Sequence, residues 1–312
     1  MIGDLTTVAN VGQWLGKANV TPDNTPLIQR LITMASRFIL GQINRQDLTY
    51  HQVSETRDGL GGNVLLLPEY PVISVVSLAI DGIPVQQQTI PGGPGFTFDA
   101  WTGEDTGSVQ KIVLSSGRSG FMPGYGVPFG YGGDLGYGGG YGGFGGGSGR
   151  QGGFPRRQQC IQVVYMAGFY IAAEPWVVPA GTPPQLQPYR MLAEDQGVIY
   201  ADSQLPLTFV APAAPGTPPD LTGGQYSADQ TTGLYTFAET DAGAALVGSY
   251  SYTPEDLSQA CCELVGERFT AKGRIGIVSQ SLGGQETTAY SQKDVGSFIQ
   301  TLLEPYRKSI PL

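Results

Sequence analysis

Few residues in this chain of 312 residues could carry catalytic chemistry. His51 is the only histidine, between Tyr50 and Gln52, and the sequence pairs it with no serine or cysteine nucleophile. A GxSxG nucleophile motif is also missing. We expect His51 to be a surface or strand-edge residue and the chain not to be an enzyme, and a hydrolase using His51 is the third-ranked hypothesis.

The potential metal ligands are equally sparse. The chain has three cysteines, and the adjacent pair Cys261 and Cys262 cannot both face one metal ion from a helix. Asp99, Glu104 and Asp105 form a small acidic cluster, but they lack the alternating oxygen ligands of a calcium loop. The sequence therefore predicts no metal, no cofactor, and reduced, partly buried thiols.

Phosphate binding is not favoured either. The loop from Asp58 to Gly62 is rich in glycine but lacks the Lys and Ser/Thr of a P-loop. The formal net charge is −9, so no basic field is expected to bind nucleic acid through its phosphates. The start of the chain lacks the basic and apolar runs of a signal peptide, and no apolar stretch could span a bilayer, so we expect no membrane partner.

Four helices are expected at the two ends of the chain. The spacing of Val8, Val11 and Leu15 predicts a first helix, and Thr25-Pro26 suits the start of a second. A third helix is expected after a capping box at Thr253, before Gly273, and a fourth from Ser291 to Pro305.

The region from Thr56 to Gly82 combines short strands with turn signals. An apolar run from Asn63 to Leu67 and a β-branched run from Val72 to Ile80 predict two strands, and Asp81-Gly82 is a strong hairpin signal. Further strands are expected at 85–90, 96–98, 111–114, 161–166, 198–200, 207–210, 233–237 and 245–252.

The middle of the chain has a biased composition. About half of the residues from Gly117 to Gly153 are glycine, with tyrosine and phenylalanine spaced between them. Ordering such a segment costs about 1–2 kcal/mol per residue, which is similar in total to what its aromatic side chains could return on burial. We therefore expect neighbouring subunits or partners to hold this tract.

Taken together and in order, these segments resemble the head-tail connector, or head completion adaptor, family of tailed bacteriophages. The resemblance is carried by LTTVANVGQWLG and PLIQRLITMASRFILGQINR, RDGLGGNVLLLPEYPVISVVSLAIDG, IQVVYMAGF, PEDLSQACCELVGERF and SQSLGGQETTAY. It implies an α+β fold, a small helical bundle with an antiparallel β-hairpin arm, here with a Gly-rich tract and a β-rich insertion. The implied division is 1–116 for the N-terminal adaptor core with the β arm, 117–159 for the tract, 160–252 for the insertion, and 253–312 for the C-terminal core and tail.

The resemblance also implies a function and partners. Such proteins form a ring, usually of twelve copies, beneath the portal, and extend the DNA channel towards the tail. The implied partners are the portal, a tail-side neck or tail protein, and genome DNA that passes through the lumen without sequence-specific binding. The implied location is the virion neck, with assembly in the host cytoplasm. The implied portal-contact residues are Tyr306, Arg307, Ile310 and Leu312.

A different class of function remains open for the insertion. It could form a carbohydrate-binding or adhesion module of a phage tail or collar. That hypothesis requires exposed aromatic residues clustered on one open face, and Trp176, Tyr189 and Tyr200 are its candidates.

Overall fold

The chain folds into two compact units built from interleaved segments. The computed structural model describes residues 3–16, 20–91, 93–98, 110–116, 153–212, 214, 216–271, 279–282, 286–289 and 296–308. Residues up to 49 and from 169 to 308 form one unit, which we call the helix-bearing unit. Residues 50 to 168 form the other, the all-β unit.

The helix-bearing unit contains four α-helices: α1 (Val8–Leu15), α2 (Thr25–Gln42), α3 (Glu255–Ala271) and α4 (Ser297–Leu303). Thr7 caps α1, because its side-chain oxygen accepts a hydrogen bond from the Asn10 N–H at 3.2 Å. Pro26 lies in the first turn of α2, where its missing N–H has no cost. The four predicted helices are thus confirmed, although residues 290–295, which include the expected start of α4, lie outside the described residues.

Helices from the two ends of the chain pack together in this unit. The core-facing side of α2 is apolar and buried, and it meets α3 around Ser36, whose hydroxyl lies 3.6 Å from the Cys261 Sγ. Thr6, just before α1, lies 3.2 Å from the Cys262 Sγ. Small polar groups therefore satisfy one another in the apolar contact between these helices.

Two facing sheets complete the helix-bearing unit. The first has the order β10-β14-β8, and the second β11-β12-β13-β9, with β11 parallel to β12 and the other pairs antiparallel. Aromatic side chains fill the space between them, as where the Trp176 and Tyr235 ring centroids lie 4.8 Å apart. The strands are β8 (Tyr170–Val177), β9 (Gln185–Leu186), β10 (Met191–Tyr200), β11 (Thr208–Phe209), β12 (Gln225–Asp229), β13 (Leu234–Phe237) and β14 (Ala245–Thr253). A further hairpin joins β15 (Ser279–Leu282) and β16 (Glu286–Ala289).

The all-β unit consists of two sheets around one apolar core. One has the order β1-β7-β3-β4 and the other β2-β6-β5. Leu78, Val163 and Ile112 are among the buried residues between them. The strands are β1 (His51–Gly59), β2 (Val64–Leu66), β3 (Val72–Ile80), β4 (Ile83–Val85), β5 (Pro94–Phe98), β6 (Lys111–Ser116) and β7 (Arg157–Ala167).

The hairpin predicted at Asp81-Gly82 is confirmed. Both residues have positive φ, 51° and 79°, and they join β3 to β4 as an antiparallel pair. Glycine supplies such a backbone without strain, and aspartate tolerates it better than most residues.

The predicted fold class, a small helical bundle with a hairpin arm, is wrong. Strand makes up 39% of the described structure, and β2 and β3, expected to form one arm, belong to different sheets. The prediction missed β1 because its inward row includes Glu55 and Arg57, which pair with each other at 3.1 Å instead of presenting an apolar stripe.

The division of the chain also differs from the predicted one. The structure separates the units at residues 49/50 and 168/169, not at 116 and 160. β7 was expected to begin an insertion, but it is the strand between β1 and β3 in the all-β unit. Most of the predicted insertion instead forms the two sheets that share a unit with the helices. Of the predicted Gly-rich tract, residues 117–152 lie outside the described residues.

Candidate binding cleft

The residues first considered for catalysis are not assembled into a site in the described structure. His51 opens β1, half-buried, opposite Ala167 of β7. Cys160, Cys261 and Cys262 are free thiols and all are buried. Burial raises the pKa of Cys261 to about 12, which keeps the thiol protonated. Among the described residues, no group of three His, Cys, Asp or Glu side chains could hold a metal ion, and the predicted acidic cluster around Glu104 lies outside them.

The glycine-rich segment from Asp58 to Gly62, which begins at the end of β1, packs against residues 155–159. A Cβ at Gly59 would overlap the Pro155 carbonyl oxygen, and one at Gly61 would lie 2.6 Å from the Arg156 Nε. Asp58 accepts a hydrogen bond from the Gln159 N–H at 2.7 Å. The glycines therefore permit a close approach of two backbone segments, and a phosphate cradle is not formed.

The four predicted portal-contact residues are placed very differently. Tyr306 is buried: its hydroxyl donates to Asp256 at 3.1 Å, and its ring centroid lies 5.8 Å from that of Phe169. Arg307 is exposed, with its Nε 3.4 Å from the Gln42 carbonyl oxygen. Ile310 and Leu312 lie outside the described residues, so the portal contact stays a prediction.

The three aromatic residues of the carbohydrate hypothesis are not clustered. Trp176 is buried between the two sheets of the helix-bearing unit. Tyr200 is half-buried, and its hydroxyl donates to Asp241 at 3.0 Å. Tyr189 is 75% exposed and lines a cleft. These three residues therefore do not form the open aromatic face that the carbohydrate hypothesis requires.

This cleft, which we call the Trp14 cleft, lies in the helix-bearing unit and has a volume of about 520 Å³. Its walls are α1, the first turns of α3, the segment that leads into β10, and the turn between β12 and β13. The residues used below are Asn10, Gln13, Trp14, Gln187, Tyr189, Arg190, Glu255, Ser258 and Gln259.

The Tyr189 side of the Trp14 cleft is fixed by charge-assisted contacts. The Arg190 guanidinium lies 4.8 Å from the Tyr189 ring centroid and pairs with Glu255 at 2.9 Å. The Tyr189 N–H donates to Glu174 at 3.0 Å, and the same carboxylate accepts the Tyr250 hydroxyl. An exposed tyrosine ring is thus held on an ordered backbone.

The Trp14 side is fixed by helix packing. Trp14 is 53% exposed, and a Cβ at Gly266 of α3 would lie 3.2 Å from its Nε1. A side chain at this position would be in tight contact with the indole edge, so α1 and α3 approach closely here. Behind the indole, the Asn10 amide and the Ser258 hydroxyl both lie near the Met191 sulfur, at 3.4 and 3.7 Å.

The arrangement suits binding more than catalysis. It offers two large aromatic surfaces, several side-chain amides, and an arginine and a glutamate that neutralise each other. Amides donate and accept hydrogen bonds, and aromatic rings supply contact area with little loss of rotamer freedom. The sequence did not single out Trp14, because only the α1 positions that face the core were considered. A large aromatic residue outside that face was the signal that could have identified it.

No protein-family model matches the chain, and no curated protein is significantly similar to it.

Proposed function

We propose that the chain is a structural subunit of a tailed-bacteriophage neck, an adaptor that forms a ring under the portal, extends the DNA channel and docks the tail. The observation that carries the proposal is the meeting of the two chain ends in one helical layer. Although some 200 residues separate α2 from α3, α1 and α2 pack on α3, and α3 packs on α4. This contact supports the proposal, because the resemblance implies that the two chain ends act together as one functional core.

The last described residues are anchored on that layer. The Arg45 Nε donates to the Tyr306 carbonyl oxygen at 2.8 Å, and the Lys308 N–H donates to the Ile43 carbonyl oxygen at 2.8 Å. In the proposal, Tyr306 has a positioning role, and Arg307 is the described candidate for contact with the portal.

The outer side of α2 supports assembly with further copies of the chain. Met34 and Phe38 are 61% and 37% exposed and lie one turn apart, with Arg30 and Arg37 exposed beside them. Apolar side chains at this spacing form a continuous patch, which in a soluble chain commonly marks a contact surface. Because the whole chain carries a net charge of −9, an apolar patch with arginines is complementary to a second copy.

The net negative charge of the chain is also compatible with a channel through which DNA passes. A ring lumen without strong positive charge would let the genome slide, because tight phosphate binding requires clusters of lysine and arginine. In this proposal DNA is cargo, the portal and a tail-side protein are the partners, and the protein resides in the virion neck after assembly in the host cytoplasm.

Negative-stain imaging and mass photometry of the full chain, alone and with its portal, test the proposal. We expect closed rings, and twelve copies of the 33.0 kDa chain would give about 400 kDa. A Met34→Glu, Phe38→Glu chain should stay smaller than a ring, because the contact would lose its apolar side chains and would have to bury two carboxylates. Gln300→Glu, an exposed change on α4, adds a charge on a different helix; it is the control and should assemble normally. Chains that neither form rings nor bind the portal would refute the proposal.

A further inference from the structure

We propose that the Trp14 cleft binds a neutral oligosaccharide. This activity is independent of ring assembly, and of the three aromatic residues that the sequence suggested it uses only Tyr189.

The aromatic surfaces are the first part of the case. Trp14 and Tyr189 line the same cleft and are 53% and 75% exposed, although aromatic rings of this size are usually more buried. Sugar rings present flat patches of C–H groups, which pack on such faces while their hydroxyls stay solvated. Both aromatic residues are already positioned, Trp14 against Gly266 and Tyr189 by Arg190, so little ordering entropy opposes binding.

The polar lining is the second part. Gln13, Gln187 and Gln259 bring amides to the cleft walls, and each amide has both donors and acceptors. A sugar hydroxyl also both donates and accepts hydrogen bonds. An amide therefore matches it better than a charged group, which only donates or only accepts. The Gln259 amide donates to Glu263 at 3.0 Å, which orients it on α3.

The charge of the cleft decides between ligand classes. Arg190 and Glu255 are the charged residues of the lining, and they pair at 2.9 Å. An acidic ligand would have to separate Arg190 from Glu255 and from the Tyr189 ring, and a basic ligand would meet Arg190 beside the same carboxylate. Neither cost applies to a neutral glycan, and a volume of about 520 Å³ falls in the range of small-molecule sites.

The experiment uses the full chain and a printed array of neutral and acidic glycans, followed by calorimetric titration of the neutral oligosaccharide that gives the strongest signal. We expect binding to a neutral oligosaccharide, with Trp14→Ala and Tyr189→Ala each raising the Kd at least about tenfold. Trp14→Phe, which keeps a smaller ring, should have an intermediate Kd. Phe298→Ala removes an aromatic residue that is 59% exposed outside the cleft, and it should leave the Kd unchanged.

Folding and assembly are measured on the same variants. Thermal unfolding by circular dichroism should show each variant to be folded, and mass photometry should give the same ring population as the unsubstituted chain. The proposal is overturned if no neutral glycan binds, if acidic glycans are preferred, or if binding survives both alanine substitutions. None of these results would affect ring formation, so this proposal can fail while the neck-adaptor proposal stands.

Discussion

Tyrosine hydroxyls that donate to carboxylates recur in both units. Asp195 accepts the hydroxyls of Tyr226 and Tyr235 at 2.7 and 2.8 Å between the two sheets of the helix-bearing unit. In the all-β unit, Glu55 accepts the Tyr165 hydroxyl at 2.7 Å. These pairs let large aromatic side chains fill a core without leaving a buried hydroxyl unsatisfied.

These buried tyrosines should make the fold sensitive to alkali. Burial, together with the nearby carboxylates, raises the pKa of Tyr165, Tyr226 and Tyr235 well above the ordinary value of about 10. Above about pH 10 the unfolded chain loses these protons while the folded chain keeps them, so the unfolded state binds fewer protons. The contribution to stability is therefore complete below about pH 10, and above it falls by up to about 1.4 kcal/mol per pH unit for each tyrosine.

Urea unfolding at a series of pH values, followed by tyrosinate absorbance, measures this loss. Tyr235→Phe should be less stable at pH 8, because Asp195 loses one of its donors, and its stability should decline less steeply above pH 10. An equally steep decline in Tyr235→Phe and in the unsubstituted chain would contradict the assignment.

Among the described glycines of the helix-bearing unit, Gly248 on β14 has the least room for a side chain. A Cβ there would lie 2.0 Å from the Trp176 Cη2, in the centre of the aromatic core. We expect Gly248→Ala to lower the free energy of unfolding by about 3 kcal/mol, because the indole must move out of a packed site. Chemical denaturation monitored by tryptophan fluorescence measures the change.

Gly41→Ala is the matched control, and its effect should have the opposite sign. Gly41 lies near the end of α2, and a Cβ there would meet nothing within 4 Å. Alanine should therefore stabilise the chain by roughly 0.5–1 kcal/mol through its better helix propensity. A loss of similar size in both variants would argue against the placement of Trp176.

At the scale of elements, the helices were predictable and the sheets only partly so. The four helices were predicted from apolar residues at helical spacing, from Thr25-Pro26 and from the capping box at Thr253. The strand β3 and its turn at Asp81-Gly82 were equally clear, because β-branched residues precede a sequence that favours positive φ.

The missed elements have physical reasons. β1 carries Glu55 and Arg57 on its inward row, and β8 contains Pro175 and two alanines, so neither has a plain strand pattern. The cleft could not be predicted at all, since α1, α3 and the residues before β10 are far apart in sequence. Strand partners across long separations depend on packing, which a single sequence does not reveal.

The C-terminal segment should be held mainly by Tyr306. Its ring is buried, its hydroxyl donates to Asp256, and its carbonyl oxygen accepts from Arg45. Tyr306→Ala should destabilise the chain by about 3–5 kcal/mol and expose α4 to hydrogen exchange, whereas Tyr306→Phe should cost about 1 kcal/mol.

Hydrogen–deuterium exchange of α4, with α3 as the internal reference, measures that release. Phe298→Ala, at an exposed position of the same helix, should leave the exchange of α4 close to that of the unsubstituted chain. Unchanged protection of α4 in Tyr306→Ala would mean that the segment is held by other contacts.

At the scale of the whole molecule, the chain forms two units, and in each of them elements that are far apart in sequence pack together. The helix-bearing unit joins both ends of the chain and most of its middle, while the all-β unit closes on itself through β7. Within the described residues, no helix is long and apolar enough to cross a membrane. We propose that this molecule is one subunit of a neck ring.

Native mass spectrometry of the full chain, alone and mixed with its portal, is the most direct measurement of that claim. The account predicts one closed oligomer near twelve copies and a heavier complex in which an intact ring is added to the portal. A chain that stays monomeric at every concentration, and gives no complex with the portal, would contradict it.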